Sequence, residues 1–526
     1  MSLELAKLIC PNLLHDKDYY LNKYKKREGT ITRFAPSPTG FLHTGSLYMA
    51  LINYRIAKDN NGIFYLRIED TDTKREVDGS IDTIVSMLKE FGIEFDNDPA
   101  YGPYKQSERA DIYNAFIFDL VAKGLAYPDF VSPEELDEIR KQQENAGERI
   151  GYYGKYAKGR FVSEADAINK IKNNEAYVVR LKSKGNYDNT FKFYDELRGE
   201  IEFHENDFDV VIRKNDGLPT YHFAHAIDDT LMHTSVVIRG EEWLNSVPTH
   251  KDLFDTLGFK LPKYMHISSI LKASDDGSRR KLSKRKDPEA SVSFLLEKGY
   301  PKKAFINYLL ILANSNYEDN MTDDYKINLK NFSVNGSTFD ILKLENISKE
   351  YISSLSIDEL YNEINSYAKN YDLNLLELIK RDELYFKEIL NLEYYPQQRK
   401  DYSKYSDIIE KIYYFYNDLY DDKSYEESNV DKDTTRRVLE YVKETNPLLP
   451  EEEWVLSLKE HATNLNFAKN KKVMERDGLK YMFADFMKLI RISLCNKNES
   501  FSIYEVIRII GLDEFRRRID KYLSQL

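Results

Sequence analysis

Ile31-Thr32-Arg33-Phe34-Ala35-Pro36-Ser37-Pro38-Thr39-Gly40, running on through FLHTGSLYMALINYRIAKDNN to Asn61, is the stretch on which the fold turns. Ile31 to Phe34 is an apolar run that reads as a short strand. Two prolines then fix φ and a glycine permits a sharp turn. Leu47, Ala50, Leu51 and Tyr54 follow at i, i+3, i+4 and i+7, one apolar face of a helix that ends at Asp59-Asn60-Asn61-Gly62. Strand, tight loop and helix place His43-Thr44-Gly45-Ser46 at the helix start, where free backbone N–H groups and the positive end of the dipole favour an anion, with phosphate expected.

Working outward, Ile63 to Ile68 reads as a second strand that delivers Glu69-Asp70-Thr71-Asp72 at its carboxyl end. Strand, helix, strand predicts a right-handed parallel unit, and ligands of such sheets bind where the strands end. Arg33 and Glu69 lie there. Either they pair as a salt bridge, or they hold an amino acid whose ammonium needs an anion and whose carboxylates need guanidinium groups. Asp82 to Phe91 and Glu108 to Gly124 have amphipathic helical patterns, and Gln106-Ser107-Glu108-Arg109 looks like a capped helix start. From about Ile112 to Arg213 helices alternate with strands such as Ala176 to Leu181. Val236-Val237-Ile238 is a buried-strand run presenting Arg239 at its end, before Gly240 and the helix start Glu241-Glu242-Trp243-Leu244. Tyr264 to Ile267 gives another strand, followed by Leu271, a flexible loop from Ala273 to Arg280, and Lys281-Leu282-Ser283-Lys284-Arg285, two lysines on a short polar loop. After Pro288 helical patterns dominate. The aromatic cluster Tyr413, Tyr414, Phe415, Tyr416 and Tyr420 could stack bases, but its spacing fits a helix core better. Residues 1–29, with a basic run from Lys23 to Arg27, carry no visible chemistry and are expected as a packed helix or a frayed terminus.

With 526 residues the chain is too long for one core and predicts three or more domains. A 42% hydrophobic and 31% charged composition is that of a soluble globular protein, and no stretch approaches twenty uncharged apolar residues, so neither a leader nor a membrane span is expected and a cytoplasmic setting is. Only Cys10 and Cys495 are present, which excludes a disulfide framework and a multi-cysteine zinc site. The net charge of −12 counts against nucleic acid only in the sum, because Asn466 to Leu526 holds 13 Lys and Arg against 8 Asp and Glu. Arg516-Arg517-Arg518 is either a solvated helix face or part of an RNA-contacting patch.

His43-Thr44-Gly45-Ser46 and Lys281-Leu282-Ser283-Lys284-Arg285 together resemble the two signatures of class I aminoacyl-tRNA synthetases, HIGH and KMSKS. The flanking words RFAPSPTGFLH, RIEDTD, YHFAHAIDD and VIRGEEWL narrow the resemblance to the bacterial-type glutamyl-tRNA synthetases, from about Thr30 to the C-terminus. That resemblance implies a multidomain α/β protein. Residues 30–112 and 215–287 would be the two halves of a Rossmann-like catalytic domain after an N-terminal extension (1–29). An inserted α/β domain that grips the tRNA acceptor end (113–214) would separate them. A helical stem-contact domain (288–360) and an all-α anticodon-binding region (361–526, divided near 423) would follow. It implies His43, Gly45, Glu242, the backbone near Leu271, Lys281 and Lys284 at ATP, with His43, Gly45, Lys281 and Lys284 catalytic. It implies Arg33, Ala35, Ser37, Glu69, Tyr221 and Arg239 around glutamate, with Arg491 and Arg516 to Arg518 as candidate tRNA contacts. His225 stands where some relatives have Asn. Many relatives carry cysteines of a zinc module near the position of Tyr127-Pro128-Asp129-Phe130, so no structural zinc is expected, and no bound metal beyond the Mg²⁺ that accompanies ATP.

The reaction so implied is attack of a glutamate carboxylate on the α-phosphorus of ATP, followed by transfer of the glutamyl group to the 3′ end of tRNA(Glu) by a monomeric enzyme. Such chemistry needs alignment and charge neutralisation more than a nucleophile. Charging of tRNA(Gln) as well is an open alternative. A small-molecule ligase on the same fold, a shortened paralogue that glutamylates a tRNA base, or a non-catalytic RNA binder fit less well, given the long tail and the intact His43, Lys281 and Lys284.

Overall fold

The computed structural model describes residues 3–40, 43–72, 75–274, 276–283, 285–320, 326–327, 331–395 and 398–526. They form two compact units, Met1–Phe294 with Ile306–Ile341, and Leu295–Phe305 with Leu342–Leu526.

The first unit opens with helices α1 (Leu3–Ile9) and α2 (Lys17–Lys23), followed by β1 (Ile31–Phe34), α3 (Thr44–Asp59), β2 (Ile63–Leu66), α4 (Ser80–Glu90) and α5 (Ala110–Ala122). The N-terminal extension is packed: Leu5, Ala6, Ile9, Tyr20 and Tyr24 are buried in one core with Ile112, Tyr113 and Phe116 of α5. β1 and β2 are parallel and in register from Ile31 opposite Ile63 to Phe34 opposite Leu66, with α3 as the crossover. The apolar stripe of α3 behaves as its periodicity requires, burying Leu47, Ala50 and Leu51.

The intervening segment holds β3 (Ala126–Asp129), α6 (Pro133–Ala146), α7 (Glu164–Lys172), β4 (Val178–Leu181), β5 (Thr190–Asp195), β6 (Gly199–His204) and β7 (Val211–Arg213). β3, β4 and β7 form an antiparallel sheet. Around it Tyr127 donates to Asp209 (2.6 Å), Tyr152 donates to Asp129 (2.9 Å), and Arg180 pairs with Asp129 (2.6 Å).

Next come α8 (Tyr221–Leu231), β8 (Val236–Gly240), α9 (Val247–Leu257), β9 (Lys263–Ile267), β10 (Leu271–Ala273) and β11 (Arg279–Lys281). β8 and β9 are parallel, and β5 and β6 extend their sheet in the order β6-β5-β9-β8. Ser235, entering β8, joins this sheet to β1: its N–H donates to the Ile31 carbonyl (3.0 Å) and its hydroxyl accepts from the Ile31 N–H (2.7 Å). β1, β2, β8 and β9 therefore deliver their carboxyl ends to one place.

Two local expectations are corrected. Gln106–Arg109 is a 3-10 turn without a side-chain cap, because Gln106 and Arg109 point inward to Asp228 instead of capping α5. At the ends of the expected Ala273 to Arg280 loop, Ala273 and Arg279–Arg280 are paired in an antiparallel hairpin, with Leu271 opposite Lys281 and Ala273 opposite Arg279.

Among its described residues the second unit is helical apart from a parallel pair of two-residue strands, Phe467–Ala468 and Tyr481–Met482. Tyr413, Tyr414, Phe415, Tyr416 and Tyr420 are all buried in its core. Arg518 is buried with them. Its guanidinium donates to the Tyr414 and Leu494 carbonyls (both 2.7 Å), to Asn417 (2.9 Å) and to Glu514 (2.6 Å). It therefore cannot serve as the RNA contact expected of it. Arg517 is engaged by Glu514 and Asp421, Arg491 by Ser500, and Arg516 is exposed. Among the described residues no helix is long and apolar enough to cross a membrane.

Candidate active site

The converging strand ends open onto a cavity of about 860 Å³. Arg33, Ala35, Ser37, Glu69, Tyr221 and Arg239 all line it, as do His43, Gly45, Glu242 and Lys281, so residues separated by some 250 positions in the chain share one wall. Lys284 lies outside the described residues. Leu271 is not part of the lining. Its N–H and carbonyl are taken by Ser337 (2.9 Å) and Phe339 (2.7 Å), and the neighbouring Ser268, Ser269 and Ile270 face the cavity instead.

Charge in the floor is tightly organised. Asp229, fully buried, lies 2.7 Å from Arg67 and 3.2 Å from Arg33. Burial opposes its negative charge, but Arg33 and Arg67 outweigh that and hold the carboxyl well below the usual carboxylate range. Arg67 also binds Glu69 Oε1 (3.0 Å), and Arg109 binds Asp228 (2.7 Å). Burial pushes the Glu69 carboxyl up against the pull of Arg67 and Arg33. The direct Arg33–Glu69 salt bridge left open by the sequence is not formed, because Arg33 turns to Asp229 and Arg67 takes Glu69.

Arg239 differs from its neighbours. It is buried at the end of β8, yet among the described residues it has no carboxylate partner. Its Nε donates to His266 Nε2 (3.0 Å), Nη1 to His250 Nδ1 (3.1 Å) and Nη2 to the Trp243 carbonyl (3.2 Å). Burial pushes the basicity of both imidazoles down, so they are neutral near pH 7. Tyr221 stands beside Trp243 with ring centroids 4.3 Å apart. His225 is stacked behind Tyr221, with Nε2 2.8 Å from the Tyr264 hydroxyl and Nδ1 2.7 Å from Asp229, and it is not part of the cavity lining.

His43 is the N-cap of α3. Its Nδ1 accepts the Gly45 N–H (2.9 Å), while the Ser46 and Leu47 N–H groups donate to its carbonyl. The expectation that the Gly45 amide is free for phosphate is therefore corrected, since that N–H closes the cap. A ring accepting at Nδ1 carries its proton at Nε2. A Cβ on residue 45 would stand 3.2 Å from His43 Nδ1, which accounts for the glycine.

The lysine loop is held at its base. Arg280 makes two 2.6 Å bonds to Asp287, the same carboxylate accepts the Ser283 N–H (2.8 Å), and Leu282 is buried. Bonding to Arg280 lowers the Asp287 carboxyl to about 2. Lys281 stays largely exposed, 3.5 Å from Glu242.

Comparison with known proteins places this arrangement. Residues 30–346 match the family "tRNA synthetases class I (E and Q), catalytic domain", and residues 359–523 match "Anticodon binding domain". The chain belongs to the class I glutamate and glutamine tRNA synthetases. It is 43% identical to the glutamate–tRNA ligase of Clostridium beijerinckii over the full length of both chains, and equally so to that of Clostridium perfringens. The crystal structure of a glutamate tRNA ligase from Elizabethkingia meningosepticum in complex with its amino acid superposes with a TM-score of 0.75 at 28% identity, covering 95% of this chain and 100% of that one. The glutamate-tRNA synthetase of Elizabethkingia anophelis gives 0.72 at 29% identity, covering 94% and 100%. The synthetase fold is thus a class I catalytic domain followed by a helical anticodon-binding region.

Several residues that organise the site have no role in the sequence reading. Arg67, Asp228, Asp229 and Trp243 stood inside the quoted words RIEDTD, YHFAHAIDD and VIRGEEWL without assignment, and His250 and His266 carried no signature. A signal existed for the first three: an arginine within an otherwise apolar strand and adjacent acids on an apolar helix need partners for their buried charge.

Proposed function

We propose that this synthetase attaches L-glutamate to the 3′ end of tRNA(Glu) through a glutamyl-adenylate, using ATP with Mg²⁺ carried on the triphosphate. The observation that supports this reading is the placement of Arg239 in the cavity wall. Arg33, Arg67 and Arg109 each bond a carboxylate directly, whereas Arg239 bonds none among the described residues, and the Asp195 carboxylate reaches it only through His266. The side-chain carboxylate of glutamate supplies such a direct partner. Glutamine is neutral and would leave a buried guanidinium unpaired, a penalty of about 1–3 kcal/mol or more.

In this reading Glu69 receives the ammonium group, while Arg239, Arg33 and Tyr221 hold carboxylate, with Ala35 and Ser37 shaping the pocket. The His43 Nε2–H faces the ATP phosphates and Glu242 lines the nucleotide side. Lys281 and Lys284 close on the phosphates as pyrophosphate departs, neutralising charge that spreads over its oxygens. Residues 113–214 grip the acceptor end and the helical tail reads the anticodon, with the exposed Arg516 among its candidate contacts. The enzyme acts as a cytoplasmic monomer.

The purified protein should transfer radiolabelled glutamate to tRNA in the presence of ATP. Binding of RNA without charging of any tRNA would overturn the assignment. Pure tRNA(Glu) and tRNA(Gln), assayed side by side, decide whether the second is also a substrate.

A further inference from the structure

A chain of side chains runs behind the cavity wall. Asp195 Oδ2 lies 2.7 Å from His266 Nδ1, His266 Nε2 accepts from Arg239 Nε (3.0 Å), Arg239 Nη1 donates to His250 Nδ1 (3.1 Å), and His250 Nε2 lies 2.9 Å from His222 Nδ1. His266 and His250 are 0% and 1% exposed. The hydrogen bonds fix every tautomer. An arginine only donates, so His266 must accept at Nε2 and carry its proton at Nδ1, facing the Asp195 carboxylate. By the same rule His250 accepts at Nδ1, carries its proton at Nε2, and donates to His222 Nδ1. Asp195 is itself held in place by the Leu197 and Arg198 N–H groups (both 3.0 Å) and the His266 N–H (3.1 Å).

We infer that His250 and His266 are specificity-determining positioning residues, holding Arg239 through neutral acceptors so that no carboxylate bonds its guanidinium directly and its charge stays open to the substrate's side-chain carboxylate. This rests on the assignment of Arg239 to that carboxylate. The contrast with the other buried arginines carries the point. Arg33, Arg67 and Arg109 are each fixed by a carboxylate, which orients them and cancels their charge. Arg239 is fixed just as firmly, by two imidazoles and a carbonyl, and the Asp195 carboxylate reaches it only through His266. A carboxylate at either imidazole position would hold the guanidinium equally well. It would also give Arg239 a directly bonded anion and so weaken the pull that separates glutamate from glutamine.

The test substitutes the acceptor without removing it. His250→Glu places an anion beside Arg239, whereas His250→Gln supplies a neutral acceptor. Aminoacylation of tRNA should show His250→Glu raising the glutamate KM at least tenfold while the ATP KM stays within about twofold, and narrowing the preference for glutamate over glutamine by a similar factor. His250→Gln should recover most of the loss. Equal effects of Glu and Gln would overturn the inference, since a merely structural histidine would suffer alike from both. If His250→Glu fails to fold, His250→Asp introduces the same charge in a smaller side chain and is read in the same way. Arg239→Gln separates the two levels. An unchanged glutamate KM there removes Arg239 from substrate binding altogether, whereas a raised KM in Arg239→Gln with none in His250→Glu removes only the role of the histidines.

Discussion

Replacing Arg518 by Met separates a structural arginine from an RNA-binding one. The four hydrogen bonds of its guanidinium, two of them to main-chain carbonyls, are made in a fully buried site, and the group lies 3.9 Å from the Tyr420 ring. Methionine fills much of the volume but leaves the Tyr414 and Leu494 carbonyls, Asn417 and Glu514 without that donor. Breaking a buried charged network by removing one member costs about 3–5 kcal/mol, and for a unit of this size each kcal/mol moves the midpoint by about 2–4 °C. The expected fall in Tm is therefore about 6–20 °C. The chain offers a clean reporter, because it has only two tryptophans. Trp454 lies in the same unit, 1% exposed, with its indole N–H bonded to Thr445 (3.0 Å). In a Trp243→Phe background its fluorescence follows the unfolding of that unit. Below the shifted transition the tRNA KM should remain within about twofold of the parent. Arg516→Ala should do the reverse, leaving the Trp454 transition in place and weakening tRNA binding. An Arg518→Met protein that melts with the parent while its tRNA KM rises tenfold would refute the structural assignment.

The other two predictions concern the signature loops. Asp287→Asn loses the ion pair with Arg280 and weakens the base of the lysine loop, so kcat for charging should fall about tenfold with little change in tRNA affinity. Because Arg280 holds the Asp287 carboxyl at about 2, below its ordinary 3.8, the clamp is whole above about pH 4 and is lost only as pH falls toward 2. The ratio of mutant to parent kcat should accordingly be flat between about pH 6 and 8, and a ratio that titrates in that range would contradict the assignment. Gly45→Ala sets a methyl against His43 Nδ1 at 3.2 Å and should raise the ATP KM or lower kcat about tenfold through the displaced imidazole, as read by steady-state charging at varied ATP.

What was legible in the sequence was whatever depends on local period and on strand ends. The β1-α3-β2 unit, the delivery of Arg33, Glu69 and Arg239 at strand termini, and the apolar face of α3 all follow from spacing over a dozen residues or fewer. What escaped depends on which way a polar residue turns. Gln106 and Arg109 look like the start of a capped helix until Asp228, about 120 positions away, draws them inward. Arg518 looks like one of three solvated arginines, although it lies on the face that buries Phe515, Ile519 and Tyr522, and helical spacing alone could have marked it as the inward member. The Ala273 to Arg280 segment reads as loop because its residues are small and polar. A hairpin forms there through main-chain pairing, which residue type does not announce.

The same distinction bears on how the two signatures work. In each, some groups serve the fold while they orient others on the cavity wall. The Gly45 amide closes the cap of α3, which fixes the His43 proton on Nε2. Leu282 and the Ser283 N–H anchor the lysine loop, which leaves Lys281 extended at its edge. Asp229 occupies Arg33 and Arg67, and two histidines hold Arg239 without neutralising it. Each of these groups is thus oriented by a named partner, and the proposed roles use the feature that partner leaves in place: a proton, an ammonium or a guanidinium without a directly bonded carboxylate. Orientation of this kind costs little at the moment of reaction, because the dipoles and charges are already in place before substrate arrives. The residues that distinguish this site are therefore as much the buried partners, Asp229, His250, His266 and Asp287, as the signature residues that they position.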